Sequence, residues 1–218
     1  MPDNLNYFQH WLLIANSRSH LPKSKILSWA KHKKIMVLDG AYEYVMPLDL
    51  HVDVLLGDFD SIQPHTLSEV YKKNIQVVHA PDQNQTDLDK GIAYLDQLQA
   101  KSITLCAATG ERMQHTLYNL MILKKCHRTV RPIALFTQNE TIHYVENSLI
   151  EINGSIGDSV GVFGFPEAVI STHGLKYEVD NYSLPFELAA STSNELIQSR
   201  AIIHVQGAVL VIHEGQES

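Results

Sequence analysis

Val52-Asp53-Val54-Leu55-Leu56-Gly57-Asp58-Phe59-Asp60-Ser61 is the stretch on which the fold turns. A run of strand length, apolar at all but one position, passes directly into a glycine and two aspartates. Continuous apolar strands belong to parallel sheets covered on both faces rather than to strands with one wet face. In such sheets ligands bind beyond the carboxyl ends of the strands, which is where Asp58 and Asp60 stand.

The same texture repeats on either side of it. Strands are expected over Trp11–Ala15, Ile35–Leu38, Val52–Leu56, Ile75–His79, Ile103–Ala107 and Ile133–Phe136. Between them lie helical spacings, with one apolar stripe through Leu88, Ile92 and Leu95 and another through Met113, Leu117, Leu120 and Met121. Strand–helix alternation of this kind predicts an α/β domain with a mostly parallel sheet over residues 1–137. Beyond Phe136 short runs rich in Val, Ile, Tyr and Thr take over, at Thr141–Val145, Ser148–Ile152, Ser159–Phe163, Leu175–Val179, Ala201–Val205 and Val209–His213. Glycines and prolines punctuate them, so an all-β sandwich or barrel-like domain is expected over residues 138–218.

Composition narrows the function. Of 218 residues, 44% are hydrophobic and 19% charged, which supports ordinary cores. The net charge of −7 comes without a basic cluster, and a nucleic-acid partner is not expected. Cys106 and Cys126 are too few for a disulfide framework. The opening MPDNLNYFQHW lacks a basic region leading into an apolar stretch, and no run approaches a bilayer span, so a cytoplasmic protein without membrane contact is expected.

The chemistry gathers at the expected strand ends. Residues i and i+2 of an extended segment project to one side, so Asp58 and Asp60 are expected to converge, beside a glycine that permits close approach. Paired carboxylates suit Mg²⁺ held jointly with substrate phosphates; a turn and a helix cap ahead of Pro64 use the same residues. An EF-hand does not fit, because Ile62 and Gln63 fall where an oxygen ligand and a glycine are needed. Further on, Thr86 is an expected N-cap with Asp89 in the capping-box position, and Asp87 and Lys90 share one helical face. Thr109-Gly110-Glu111-Arg112 offers a glycine turn with backbone N–H groups, and a guanidinium, for an anion. Asp39-Gly40-Ala41 closes another strand. The histidines lack zinc spacing, although His115 follows the Arg112 turn. Together these residues predict a Mg²⁺-dependent enzyme that transfers a phosphate-bearing group from a nucleotide to a small acceptor.

The same strings resemble the thiamine pyrophosphokinase (thiamine diphosphokinase) family. They are Asp39-Gly40-Ala41, Gly57-Asp58-Phe59-Asp60-Ser61-Ile62, Asp82-Gln83-Asn84-Gln85-Thr86-Asp87 with Lys90, and Thr109-Gly110-Glu111-Arg112-Met113-Gln114-His115 with Asn119. In the β region His173-Gly174-Leu175-Lys176-Tyr177 and Ser193-Asn194-Glu195 also match. The resemblance implies a nucleotide-binding catalytic domain, a thiamine-binding β-sandwich and a homodimer. It implies transfer of the terminal diphosphate of ATP to thiamine, leaving AMP. By the same resemblance Asp58, Asp60 and Asp87 hold Mg²⁺ and, with Arg112, form the catalytic set. Asp39, Asp82, Gln83, Thr86, Lys90, Gly110 and Arg112 surround ATP, and Gln114, His115, Ser193 and Asn194 face thiamine.

Two positions depart from the family pattern. Gln114 stands where an aspartate is usual, and Ser191 where a glycine is usual. Two other functions are compatible with the same residues. A haloacid-dehalogenase-type phosphatase would use Asp58 as nucleophile, but expects Thr or Val where Ile62 stands. A non-catalytic thiamine- or nucleotide-binding protein would keep the fold and lose activity through Gln114.

Overall fold

The structure, a computed structural model, describes residues 9–17, 21–60, 62–110, 112–127, 132–187 and 192–215. Ser61, Glu111 and Ser191, which figured in the motifs above, lie outside the described residues. The chain divides into two compact units, residues 1–138 and 139–218.

The first unit alternates strand and helix: β1 (His10–Ile14), α1 (Lys23–Trp29), β2 (Lys34–Leu38), α2 (Tyr42–Val45), β3 (Val54–Gly57), α3 (Pro64–Lys72), β4 (Gln76–His79), α4 (Asp87–Gln97), β5 (Ser102–Cys106), α5 (Met113–His127) and β6 (Ile133–Phe136). Its strands lie in the order β6-β5-β1-β2-β3-β4, and every pairing is parallel. All six expected strands are present within two residues of their expected ends. The order runs outward from β1 to β4 and then returns to place β5 on the other side of β1, which makes a switch point at the carboxyl ends of β1 and β5.

Strand alternation sends neighbouring residues to opposite faces. Leu12, Ile14, Ile35, Val37 and Leu55 join Ile26 and Trp29 of α1 and Tyr42 and Val45 of α2 in one core. On the opposite face α4 rests on Leu13, Met36 and Leu38. There Gly91 comes so near that a Cβ would meet Leu38 Cδ2 at 3.1 Å. Leu88, Ile92 and Leu95 are buried as their spacing predicts.

α5 departs from its expected stripe. Met113, Leu117 and Met121 are 73%, 53% and 52% exposed, and the buried residues are Ile122, Leu123 and Cys126. Apolar residues occupy nearly every side of this helix between Leu117 and Leu123, so spacing alone does not choose the inward face.

The second unit contains β7 (Glu140–Glu146), β8 (Leu149–Asn153), β9 (Ser159–His173), β10 (Tyr182–Pro185), β11 (Asn194–Glu195) and β12 (Arg200–Glu214). All its ladders are antiparallel. The first half of β12 lies between β8 and the later part of β9, and the second half between β7 and the earlier part of β9. Both halves direct Val145, Ile152, Val160, Ile170, Ile203 and Val211 into one core, a sandwich-like arrangement.

Three expectations change here. Ala201–Val205 and Val209–His213 are parts of the single strand β12, which shifts register between Gly207 and Val209 instead of ending. Gly207 has φ 92°, so it bends the strand in a conformation other residues resist. Ser159–Phe163 extends to His173, past Gly164 and Pro166. Leu175–Val179 is not a strand; it is tied by a Leu175–Leu196 bridge and by backbone bonds from Thr172 to Val179 and from Lys176 to Glu195. Among the described residues the unforeseen β10 pairs only with β9, and an edge position tolerates Pro185. Among the described residues no helix is long and apolar enough to cross a membrane.

Candidate active site

β2 delivers Asp39 into a buried turn, where the residue is 4% exposed. Its Oδ1 accepts the Gly40 N–H at 2.6 Å and its Oδ2 the Phe59 N–H at 2.8 Å. Gly57 permits this approach, since a Cβ there would fall on the Asp39 carboxylate. Burial pushes the Asp39 carboxyl above the usual range, against the pull of those two N–H groups, and nearby Asp87 and Asp58 push the same way.

β3 ends in Gly57, and the loop beyond it is not extended. Phe59 has φ 63°, so the alternation that was to align Asp58 with Asp60 does not apply. Asp58 turns instead to accept the Asp60 N–H on Oδ1 at 3.2 Å, and accepts Gln83 Nε2 on Oδ2 at 3.1 Å. The Asp60 N–H holds the Asp58 carboxyl below the usual range, helped by Gln83, Lys90 and Asp39.

After β4, Asp82 organises its own loop, accepting Asn84 N–H at 2.9 Å and Nδ2 at 3.0 Å, and Gln85 Nε2 at 3.3 Å. The expected capping box is present: Thr86 Oγ1 accepts the Asp89 N–H at 3.2 Å and Asp89 accepts the Thr86 N–H at 3.4 Å. One turn on, Lys90 Nζ donates to Asp87 Oδ1 and to the Ala80 carbonyl, both at 2.9 Å. The Lys90 side chain is only 8% exposed, so its charge is held at a fixed place.

After β5 the expectation for Gly110 changes. Its N–H donates to Thr116 Oγ1 at 3.2 Å instead of standing open to an anion. Arg112 precedes α5, with its carbonyl accepting the His115 and Thr116 N–H groups, and Arg112, Gln114 and His115 are exposed.

In the second unit Ser193 is exposed and Asn194 is 4% exposed. The Asn194 amide grips the Tyr177 backbone from both sides, accepting its N–H at 3.0 Å and donating to its carbonyl at 2.9 Å. Ser193, Asn194, Thr172, Tyr177 and Tyr182 line a cavity of about 470 Å³ with an apolar wall that includes Val162. The link between Tyr177 and Asn194 was not legible from sequence, because the two residues stand 17 positions apart.

Hydrogen bonds and short-range charge effects thus bring Asp39, Asp58, Gln83, Asp87 and Lys90 together. Among the described residues no three acidic, histidine or cysteine side chains stand close enough to hold an ion by themselves. Asp58 and Asp87, linked through Gln83 and Lys90 to the same strand ends, offer carboxylates of the kind Mg²⁺ takes one or two at a time, its shell completed by water and substrate phosphates. The donor set here is all oxygen and exposed at Asp60, as such an ion requires.

The fold and this site define a two-unit enzyme with a parallel-sheet catalytic unit ahead of a β-sandwich. Residues 26–135 match the thiamin pyrophosphokinase catalytic domain, and residues 146–210 match the thiamin pyrophosphokinase vitamin B1 binding domain. Thiamin pyrophosphokinase 1 of Caenorhabditis elegans is 26% identical over 196 residues, which cover 84% of this chain and 79% of that protein. Thiamine pyrophosphokinase 2 of Arabidopsis thaliana is 33% identical over 211 residues, covering 84% and 78%. The crystal structure of thiamine pyrophosphokinase from Bacillus subtilis has the same fold, with a TM-score of 0.84 at 22% identity over 95% of this chain and 100% of that one. The chain belongs to the thiamin pyrophosphokinase family.

Proposed function

We propose that this enzyme transfers the terminal diphosphate of ATP to the hydroxyethyl oxygen of thiamine. The acceptor oxygen bonds to the β-phosphorus, the bond from that phosphorus to the α,β-bridging oxygen breaks, AMP leaves, and the hydroxyl proton passes to solvent. The observation that carries this reading is the grouping of Asp39, Asp58, Gln83, Asp87 and Lys90 beyond β2, β3 and β4. Phosphoryl transfer asks mainly for positioning and charge neutralisation.

In this reading Asp58, Asp60 and Asp87 are the carboxylates from which Mg²⁺ would take one or two ligands, with water and substrate phosphates completing its shell. When bound it would neutralise charge developing on the phosphate oxygens. Lys90, fixed by Asp87 and the Ala80 carbonyl, presents an ammonium to the polyphosphate. Arg112 adds a guanidinium whose planar fork suits phosphate oxygens. The cavity beside Ser193 and Asn194 takes thiamine, with Tyr177 held in place by Asn194. Thr86 and Asp82 order the loop between β4 and α4; Gly110 is assigned to the nucleotide, and Gln114 and His115 to thiamine. We also place the enzyme in the cytoplasm, and as a homodimer by analogy with the family; sedimentation at micromolar concentration tests the latter, and a fully active monomer contradicts it.

The direct test is incubation of the protein with ATP, Mg²⁺ and thiamine. AMP and thiamine diphosphate should appear in equal amounts. Release of inorganic phosphate without AMP, or trapping of phosphate on Asp58, would support a phosphatase instead.

A further inference from the structure

The Asp89 side chain is 2% exposed and receives donors from three directions. Thr86 Oγ1 donates to Oδ2 at 2.7 Å, Tyr118 Oη to Oδ2 at 2.8 Å and Lys125 Nζ to Oδ1 at 2.7 Å. A capping box needs only the contacts with Thr86, and an exposed carboxylate or amide satisfies it. Burying the carboxylate is costly unless charged and polar donors offset the lost hydration. Those donors come from Tyr118 and Lys125, two turns apart on one side of α5.

α5 also holds the loop that follows β5. Thr116 Oγ1 accepts the Gly110 N–H, Asn119 Nδ2 donates to the Ala108 carbonyl at 2.7 Å, and the first helical bonds end on Arg112. One helix therefore grips the turn carrying Arg112 at its start and, through Asp89, the first turn of α4 along its length. Asp87 and Lys90 flank Asp89 in that turn.

We propose that Asp89 is a positioning residue that, through Tyr118 and Lys125, ties Asp87 and Lys90 to the helix carrying Arg112, so that both phosphate-facing groups keep one spacing. The proposal rests on the function proposed above. Tyr118 and Lys125 carry no assigned contact with ATP, thiamine or Mg²⁺, so their removal tests the linkage to Asp89 without deleting a group of the proposed site.

The experiment compares the native chain with Tyr118→Phe/Lys125→Met. ATP binding in the presence of Mg²⁺ is measured by calorimetry, and turnover and thiamine KM by product formation. Loss of an outer hydrogen-bond shell around such a group commonly costs about tenfold or more. ATP affinity and kcat should each fall by about tenfold, with thiamine KM and the far-ultraviolet spectrum unchanged. Asp89→Asn, which keeps an oxygen to cap Thr86, should bring little further loss when added to the double variant, because Asp89, Tyr118 and Lys125 act as one unit. If the double variant does not fold, Lys125→Met alone, whose side chain is 65% exposed, should move the same quantities in the same direction.

Native ATP affinity and kcat in the variant that folds overturn the proposal, as does an equal loss of thiamine and ATP binding. A native chain that binds ATP but forms no thiamine diphosphate defeats the proposed reaction instead, and the ATP affinities still decide the role of Asp89. A native chain that binds no ATP defeats both.

Discussion

Asp39 and Phe59 lie twenty residues apart in sequence, and the carboxylate of the first accepts the backbone N–H of the second at 2.8 Å. Phe59 separates the two aspartates of the strand-end loop and adopts a left-handed backbone, φ 63°, which a bulky residue holds only when its surroundings dictate it. The end of β2 thus shapes the loop that follows β3.

Asp39→Ala would leave the partly buried Phe59 and Gly40 N–H groups without these acceptors. A buried donor left unpaired costs about 1–3 kcal/mol, so the melting temperature should fall and turnover with it. Asp39→Asn retains one accepting oxygen and should be less damaging to stability. Thermal melting of both variants beside the native protein checks the order, and an Asp39→Ala protein as stable as the native one contradicts it.

Asp58 and Asp60 should matter to chemistry more than to folding. Asp60 is exposed and Asp58 partly so, and a carboxylate-to-amide change keeps their shape. Asp58→Asn or Asp60→Asn should reduce thiamine diphosphate formation by about two orders of magnitude or more while the melting temperature stays near native. Near-normal turnover from either variant removes that residue from the metal site.

Gln114 sits exposed in the first turn of α5, two residues beyond Arg112. Its amide donates and accepts hydrogen bonds but carries no charge. With Asp58, Asp60, Asp87, Lys90 and Arg112 all present, the native chain should be active, and Gln114→Asp should alter its kinetics only modestly. Parallel assays of the two proteins decide this. A native chain releasing no AMP, restored by that single change, would assign an essential charge to the position.

His143 should make the β unit sensitive to acid. Burial, with His213 stacked on it at 5.5 Å, lowers its pKa to about 4, and among the described residues its Nε2 has no hydrogen-bond partner. The unfolded chain, near pKa 6.5, takes up that proton first, so stability is full above pH 6.5, falls as pH drops towards 4, and falls no further from this cause below it. The loss amounts to about 3 kcal/mol. Urea midpoints at pH 7.5 and 5 should differ for the native protein and converge in His143→Leu, whose own midpoint reports its repacking.

Much of the parallel sheet was legible because strands buried on both faces announce themselves as apolar runs, as Ile103–Ala107 and Ile133–Phe136 do. The capping box at Thr86 and Asp89 was equally plain, since both partners lie within one turn. What sequence did not reveal depends on distant partners. The left-handed Phe59 needs Asp39, the Tyr177 loop needs Asn194, and the inward face of α5 is chosen by the packing of Ile122 and Cys126. In the β unit Gly207 reads as a break when taken alone, but neighbours on both sides of β12 carry the ladder past it.

β9 and β12 each run for 15 residues through both halves of that unit. Neither half owns a complete set of strands, so there is no seam along which one can open while the other stays shut. Breaking β12 removes the ladder to β8 and the strand partner of Val162 in the cavity wall together. The β unit therefore protects its deepest amides only through whole-unit unfolding, and a molecule lodged beside Tyr177 would slow hydrogen exchange as far away as Ile152.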